Sequence, residues 1–165
     1  MRCQSHTPCP EELNINDHFV IQKCINKILK TQDAKSVNSY LVSPYLDKLS
    51  FGPYSKEEID SAFQSFEIDF DEVILMDDAS VGCQKRYYES LSSLSNTSGN
   101  AVVFSSTRLY GDLIQVKLTD YYGDISMSKI KNNAGLHTSQ MYEYILKIKE
   151  DGNVDIILNS STFYD

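Results

Sequence analysis

Two alternating runs near the C-terminus form the strongest local pattern of this chain. The apolar positions on one side of each run are Tyr142, Tyr144, Leu146 and Ile148 in the first, and Val154, Ile156 and Leu158 in the second. This period of two is typical of strands with one buried face. Asp151-Gly152-Asn153 separates the runs, and Asp-Gly supplies the positive φ of a tight turn. The pattern predicts a β-hairpin over residues 142–165.

The front of the chain has helical periodicity instead. A helix is predicted over residues 16–31, with Asn16 or Asp17 as its N-cap. Its apolar positions at helical spacing are Ile21, Cys24, Ile25 and Ile28. A short second helix is predicted to start at Asp33 and to stop before Pro44, because proline disfavours helical geometry in the residue that precedes it. Its apolar positions are Val37, Tyr40 and Leu41.

Two further helices are predicted in the middle of the chain. Ser55 and Glu58 have the spacing of a capping box, in which each side chain bonds the other residue's backbone amide. The buried face of that helix is predicted to comprise Ile59, Phe63 and Phe66. The fourth helix is predicted to start after Ser80, with apolar positions at Cys83, Tyr87, Leu91 and Leu94.

Strands are predicted between these helices and in the rest of the chain. The predicted strands cover residues 46–51, 70–76, 101–110, 113–122 and 125–131, followed by the closing hairpin. Helices precede an antiparallel meander, so we expect an α+β fold with N-terminal helices packed on one face of a curved, mostly antiparallel sheet. Residues 1–13 contain two prolines and no periodicity, and we expect a mobile N-terminal arm before a single domain over residues 14–165.

Composition narrows the range of partners. The 165 residues have a net charge of −8, which disfavours a nucleic-acid partner. This charge is compatible with a basic protein partner, but acidity also simply keeps a protein soluble. The chain has 11 Tyr and no Trp. Tyrosine combines an apolar ring with a hydroxyl, which suits the wall of a binding site. The predicted binding residues are Tyr40, Tyr87, Tyr142 and Tyr144.

The cellular compartment is left open by the sequence. No apolar run is long enough to span a bilayer, and the first residues lack the apolar segment of a signal peptide. The chain as written is therefore expected to be soluble and cytoplasmic, or periplasmic or lipid-anchored through Cys3 if a signal was trimmed. Cys3 and Cys9 can close a small loop outside the cytosol, whereas Cys24 and Cys83 fit helical apolar positions as small buried residues.

Known catalytic and metal-binding motifs give little support to an enzyme. Neighbouring Asp77 and Asp78 follow a predicted strand, where we expect a solvated turn and no metal site. Gln115, Lys117 and Thr119 alternate with apolar residues and are expected to face solvent. The sequence contains no GxSxG, no phosphate-binding glycine loop and no HExxH. We therefore expect neither a metal nor another cofactor.

The order of elements resembles that of the nuclear-transport-factor-2-like superfamily, which has a cystatin-like α+β fold. Four segments carry the resemblance: the opening helix over residues 18–30, residues 32–44, the helix capped by Ser55, and the terminal strands around residues 149–154. The predicted helix near residues 84–94 departs from the usual plan. The resemblance implies a cone with an internal pocket. Enzymes of this superfamily place acid–base groups there, and His137 near Tyr142 and Tyr144 is the best candidate base.

Members of this superfamily include isomerases, dehydratases, ligand carriers and bacterial immunity proteins, so the fold does not select a function. Since no catalytic constellation is evident, we expect a non-catalytic binding protein for a protein partner or a small apolar ligand. An immunity-type or envelope accessory protein would fit, and a homodimer is compatible with it. The alternative is a lyase- or isomerase-type enzyme with a Tyr-lined pocket and His137 as base.

Overall fold

The computed structural model of the chain describes residues 11–79, 87–97, 99 and 101–164. Most of the arm predicted over residues 1–13, including Cys3 and Cys9, lies outside the described residues. Residues 11–13 lead into the first helix, and Leu13 packs against the core.

Helix α1 spans Ile15–Leu29 and confirms the predicted opening helix. Its N-cap is Asn14, two residues before the earlier of the two predicted caps. The Asp17 amide donates to the Asn14 side chain at 2.9 Å, and the Asn14 amide donates to the Asp17 carboxylate at 3.2 Å. Asp17 therefore closes a capping box and does not cap the helix itself. The buried face is the predicted one: Ile21, Cys24, Ile25 and Ile28.

The predicted second helix is wrong. Only a short 3₁₀ helix, Gln32–Ala34, follows α1, and the chain then enters strand β1, Tyr40–Asp47. Pro44 lies inside β1, which is an edge strand with an irregular register between Val42 and Leu46. Edge strands and bulges are the places where a sheet tolerates proline, so Pro44 marks an edge and not a helix end.

Helix α2 spans Lys56–Ser65 and confirms the predicted capping box. The Glu58 amide donates to Ser55 Oγ at 3.1 Å, and the Ser55 amide donates to the Glu58 carboxylate at 2.8 Å. Ile59 and Phe63 are buried as expected, and Phe66 is half-buried at the C-cap.

The strand predicted over residues 70–76 is wrong, because helix α3 occupies Phe70–Ala79. Asp69 accepts hydrogen bonds from the amides of Asp71 at 3.0 Å and Glu72 at 3.4 Å, which satisfies the first free donors of a helix. The apolar run that suggested a strand is split between the core and the surface, since Val73 is buried and Leu75 is exposed. Asp77 and Asp78 therefore belong to a helix and do not follow a strand.

Residues 80–86 of the predicted fourth helix lie outside the described residues. Tyr87 forms an isolated bridge with Tyr45, and a 3₁₀ helix, Glu89–Leu94, comes next with Leu91 buried. The residues after this helix protect the open edge of β1. The amide of Tyr40 donates to the side chain of Asn96 at 2.6 Å, and the amide of Val42 donates to Ser95 Oγ at 2.7 Å.

In the described part of the chain, five strands form one sheet in the order β1-β2-β3-β4-β5. The later strands are β2 Val102–Thr107, β3 Leu113–Tyr121, β4 Thr138–Ile148 and β5 Val154–Phe163. Strand β1 pairs with β2 in parallel, and the other pairs are antiparallel. The strand predicted over residues 125–131 is wrong, because helix α4 spans Met127–Asn132 with Ser126 as its N-cap.

The closing hairpin is confirmed. Gly152 has φ +83°, and its amide donates to the Lys149 carbonyl at 2.9 Å. The register of the two strands shifts between Ile145 and Leu146, so that Leu158 lies opposite Ile145. Because of this bulge, Leu158 packs on the other face from Val154, and the prediction that the two share a side is wrong.

The α+β fold with helices packed on a mostly antiparallel sheet is confirmed, but the described helices cover both faces of the sheet and not one. Helix α1 and the 3₁₀ helix Glu89–Leu94 contribute to the largest cluster, together with Phe104, Val116 and Tyr144 of the sheet. Residues that alternate with these on the strands pack against the other helices, which lie on the second face. There, α2 and α3 cover one end, and α4 covers the other. Within the described residues, the helices are too short or too polar to cross a bilayer.

Replacing Ile25 by alanine tests how much of the fold depends on α1. Ile25 is fully buried in the main cluster, so we expect Ile25→Ala to lower the free energy of unfolding by about 2–5 kcal/mol. The matched control is Ile15→Ala on the same helix, where the side chain is 73% exposed and the change should stay within about 0.5 kcal/mol. Urea denaturation of both variants measures the difference, and equal losses would contradict the assignment of α1 to the core.

Candidate ligand-binding cleft

Strand β3 presents an apolar side and a polar side. Ile114, Val116 and Leu118 face the α1 cluster, whereas Gln115, Lys117 and Thr119 point to the second face. The expectation that these polar residues face solvent is wrong for two of them, because Gln115 is 0% exposed and Thr119 is 4% exposed.

Gln115 is buried because it anchors the segment after β1. The amide of Ser50 donates to Gln115 Oε1 at 2.8 Å, and Gln115 Nε2 donates to the Ser50 carbonyl at 2.8 Å. These two bonds satisfy both ends of the side-chain amide, which offsets the cost of burying it. The segment after β1 is thereby held over the sheet.

A polar row crosses the second face next to Gln115. Ser105, Lys117, Glu143 and Ser160 lie directly opposite one another on β2 to β5. Lys117 Nζ lies 3.4 Å from Glu143 Oε1, and both side chains are largely shielded from solvent. The row divides the apolar cluster under α2 and α3 from the one under α4, so this face has no continuous apolar core.

A cleft of about 460 Å³ lies between the sheet and α4. Its lining residues are Ser43, Tyr45, Asp47, Val103, Ser105, Tyr121, Ile130, Asn133 and Leu136. Val103 and Ile130 are buried members of the α4 cluster, so one part of the wall is apolar. Ser43, Tyr45 and Asp47 alternate along β1 and supply hydroxyls and a carboxylate.

Two tyrosines flank this cleft. Tyr45 is fixed by a hydrogen bond from its hydroxyl to the Lys131 carbonyl at 2.8 Å and by an edge-on contact with the Tyr87 ring, whose centroid is 5.3 Å away. Burial raises the pKa of Tyr121, and the negative charge of Asp47 adds to the effect. Tyr121 therefore keeps its proton at neutral pH.

The four predicted binding tyrosines separate into two locations. Tyr40 and Tyr144 are buried in the α1 cluster, and half-buried Tyr142 packs against it. The Tyr40 ring meets Phe104 edge-on at 5.3 Å. Tyr87 is exposed and contacts Tyr45 at the cleft. The structure thus places two of the tyrosines in the core, the third against it and the fourth beside Tyr45, and their role in binding stays a prediction.

His137 is exposed in the loop before β4. It lines a shallow depression together with Tyr122, Leu136, Thr138 and Tyr164. Tyr142 and Tyr144 are not among the residues that line this depression, so the structure does not unite the predicted base with the tyrosines named beside it. The proposal of His137 as a catalytic base stays a prediction.

Sequence reasoning missed the cleft residues of β1. Ser43, Tyr45 and Asp47 have the spacing of residues on one face of a strand, which is the signal that could have revealed them. The sequence pattern instead predicts a helix that ends before Pro44, so the residues around it were not expected to form a strand. Tyr121 lies at the end of a strand that the sequence predicted correctly. Only the fold shows that this residue and α4 line the same cleft.

Comparisons with known proteins add no further assignment. No protein family, no curated protein and no solved structure matches this chain. The resemblance to the nuclear-transport-factor-2-like superfamily therefore stays a prediction. Among the described residues, no group of three or more His, Cys, Asp or Glu side chains is placed to hold a metal ion.

The burial of Tyr144 makes stability depend on pH in alkaline solution. Burial raises the pKa of Tyr144 to about 12, above the value of about 10 for an unfolded chain. Since the unfolded state loses this proton first, the contribution of Tyr144 to stability should fall between pH 10 and pH 12 by up to about 1.4 kcal/mol per pH unit. Urea denaturation of Tyr144→Phe should show a shallower alkaline decline, whereas Tyr164→Phe at the exposed C-terminal end should match the original protein.

Removing one partner of the Lys117–Glu143 ion pair is expected to destabilise the protein more than removing both partners. Lys117→Met leaves the buried Glu143 carboxylate without its cation, at a cost of about 1–3 kcal/mol in the free energy of unfolding. Lys149→Met, which removes the partner of the more exposed Asp155, should cost less than about 0.5 kcal/mol. The double change Lys117→Met with Glu143→Leu should recover part of the first loss. If the loss in the double variant equals the sum of the losses from Lys117→Met and from Glu143→Leu alone, the two residues are not coupled.

Proposed function

We propose that this chain is a non-catalytic binding protein whose α4 cleft takes a small ligand with an apolar body and a cationic or hydrogen-bond-donating group. The observation that carries the proposal is the cleft itself. Its volume of about 460 Å³ lies in the range of small-molecule sites, and Asp47 is the one charged residue among the described residues that line it.

The apolar part of the ligand is matched by the wall of the cleft. Val103 and Ile130 present buried aliphatic surface, and Leu136 continues it at the rim. The rings of Tyr45 and Tyr121 add aromatic surface, whose negative faces attract cations. An aliphatic or aromatic body therefore gains contact area, and a positive charge on it is favoured.

The polar part of the ligand is matched by acceptors. The Asp47 carboxylate and the hydroxyls of Ser43 and Ser105 lie on the same lining. Lys117 lies directly opposite Ser105, but its charge is compensated by Glu143 at 3.4 Å. An amine is thus favoured over a carboxylate, because an anion would meet Asp47 without a free cation to balance it.

A small ligand is favoured over a protein partner at this place because the volume of the cleft, about 460 Å³, matches a small molecule. The wider expectations of a basic protein partner, a homodimer and an immunity-type or envelope role stay predictions. None of them is needed for the cleft to bind a small molecule.

Three probes of similar size show whether the cleft prefers a cationic, a neutral or an anionic ligand. Benzylamine, benzyl alcohol and benzoate share a ring and differ in charge. In titrations followed by amide chemical shifts, we expect benzylamine to bind most tightly and benzoate most weakly, with shifts concentrated at Tyr45, Ser105 and Tyr121. Equal affinities for the three probes, or shifts located elsewhere, would contradict the proposal.

A pair of variants isolates the role of the carboxylate. Asp47→Asn should weaken benzylamine binding by about three- to thirtyfold and leave benzyl alcohol binding nearly unchanged, because a charge-assisted hydrogen bond is replaced by a neutral one. Asp60→Asn on exposed α2 removes the same charge away from the cleft and should change neither. If both variants weaken benzylamine equally, the preference comes from net charge and not from the cleft.

A further inference from the structure

A stripe of lysines follows the exposed side of α1. Lys23, Lys27 and Lys30 are spaced by four and three residues, which places them on one side of the helix, and all three are exposed. Cations near a helix C-terminus stabilise the helix dipole, which accounts for Lys27 and Lys30 by themselves. The helix dipole does not explain why a fourth lysine, Lys149 of the closing hairpin, lies near them.

The fourth lysine comes from the closing hairpin. Lys149 follows β4 and lines a groove of about 370 Å³ together with Lys23, Lys27 and the C-cap residue Lys30. The other lining residues are Asn26, Asn153, Val154 and Asp155. Lys23 Nζ donates to the Gly152 carbonyl at 2.8 Å, which holds the helix against the turn. The groove is therefore built from two elements that are fixed to each other.

The charges in this groove differ from those of the whole chain. The chain has 15 basic and 23 acidic residues, yet four lysines and a single carboxylate, Asp155, line the groove. Lys149 lies 3.7 Å from Asp155, whereas Lys27 and Lys30 have no ion pair with any described residue. Glu150 and Asp151 of the same turn line a different depression, which Lys149 also borders.

We infer that this groove binds a phosphate-bearing anion. The ammonium groups of Lys27 and Lys30 offer several donors to an anion with several oxygens, and Lys149 lines the same groove. The amide side chain of Asn26 adds a neutral donor to the same lining. A free phosphate compound and the headgroup of an anionic lipid share this chemistry. The site is separate from the α4 cleft and does not depend on the function proposed for it.

Inorganic pyrophosphate and lipid vesicles test the two sources. Pyrophosphate is titrated at constant ionic strength, because salt alone screens surface charges. We expect saturable amide shifts at residues 23–30 and 149–155. In parallel, flotation with phosphatidylcholine vesicles that contain phosphatidylglycerol shows whether a lipid headgroup occupies the groove. Saturable binding of pyrophosphate alone identifies a free phosphate ligand, and binding of the vesicles identifies a lipid source.

A double variant and its matched control test whether the anion binds in this groove. Lys27→Gln with Lys30→Gln should weaken binding about tenfold or more for whichever probe, pyrophosphate or vesicles, binds the original protein. Lys48→Gln with Lys56→Gln removes the same charge from exposed positions outside the groove and should leave binding nearly unchanged. Amide spectra of the free variants verify their folding. The inference is overturned if neither probe binds, if the first double variant binds normally, or if both variants lose binding equally.

Discussion

Burial on both sides of β3 is the constraint on which the rest of the structure depends. This central strand supplies Ile114, Val116 and Leu118 to the cluster under α1, while its alternate residues meet the second face. A strand in this position cannot leave its polar side in water, so Gln115 is buried and must be hydrogen-bonded. Its two bonds to Ser50 fix the chain that leaves β1 and leads to α2.

The polar row that begins beside Gln115 explains why the second face is not a uniform core. Apolar clusters form at its two ends, under α2 and α3 and under α4, and the Lys117–Glu143 pair lies between them. A polar strip cannot be packed against apolar helices without loss of hydration. The α4 cleft lies where the cluster under that helix borders this strip, which gives it one apolar and one polar side.

Sequence patterns identified those elements whose local signals agree with their place in the fold. The Ser55 capping box, α1 and the closing hairpin each contain such signals, and each is confirmed. The patterns failed where tertiary context decided. Pro44 is tolerated because β1 is an edge strand, and Leu158 changes face because of a bulge, and neither fact is visible in local periodicity.

The candidate site was harder to predict than the fold. Its residues come from β1, β2, β3 and the region of α4, and two of these elements were assigned incorrectly from sequence. Tyr144, one of the aromatic residues predicted to bind, lies in the core, where a large ring is equally useful. Tyr45 and Asp47 are two residues apart and lie on the same face only if the segment is a strand. Their shared position could therefore be predicted only after β1 was known.

A crystal structure of the protein grown with benzylamine tests the central claim most directly. That claim is that the polar strip leaves an open cleft at α4 whose single carboxylate selects the ligand. The expected result is the ammonium group within hydrogen-bond distance of Asp47, with the ring between Tyr45 and Tyr121. An empty cleft closed by its own side chains, or benzylamine seated elsewhere on the protein, would contradict the account.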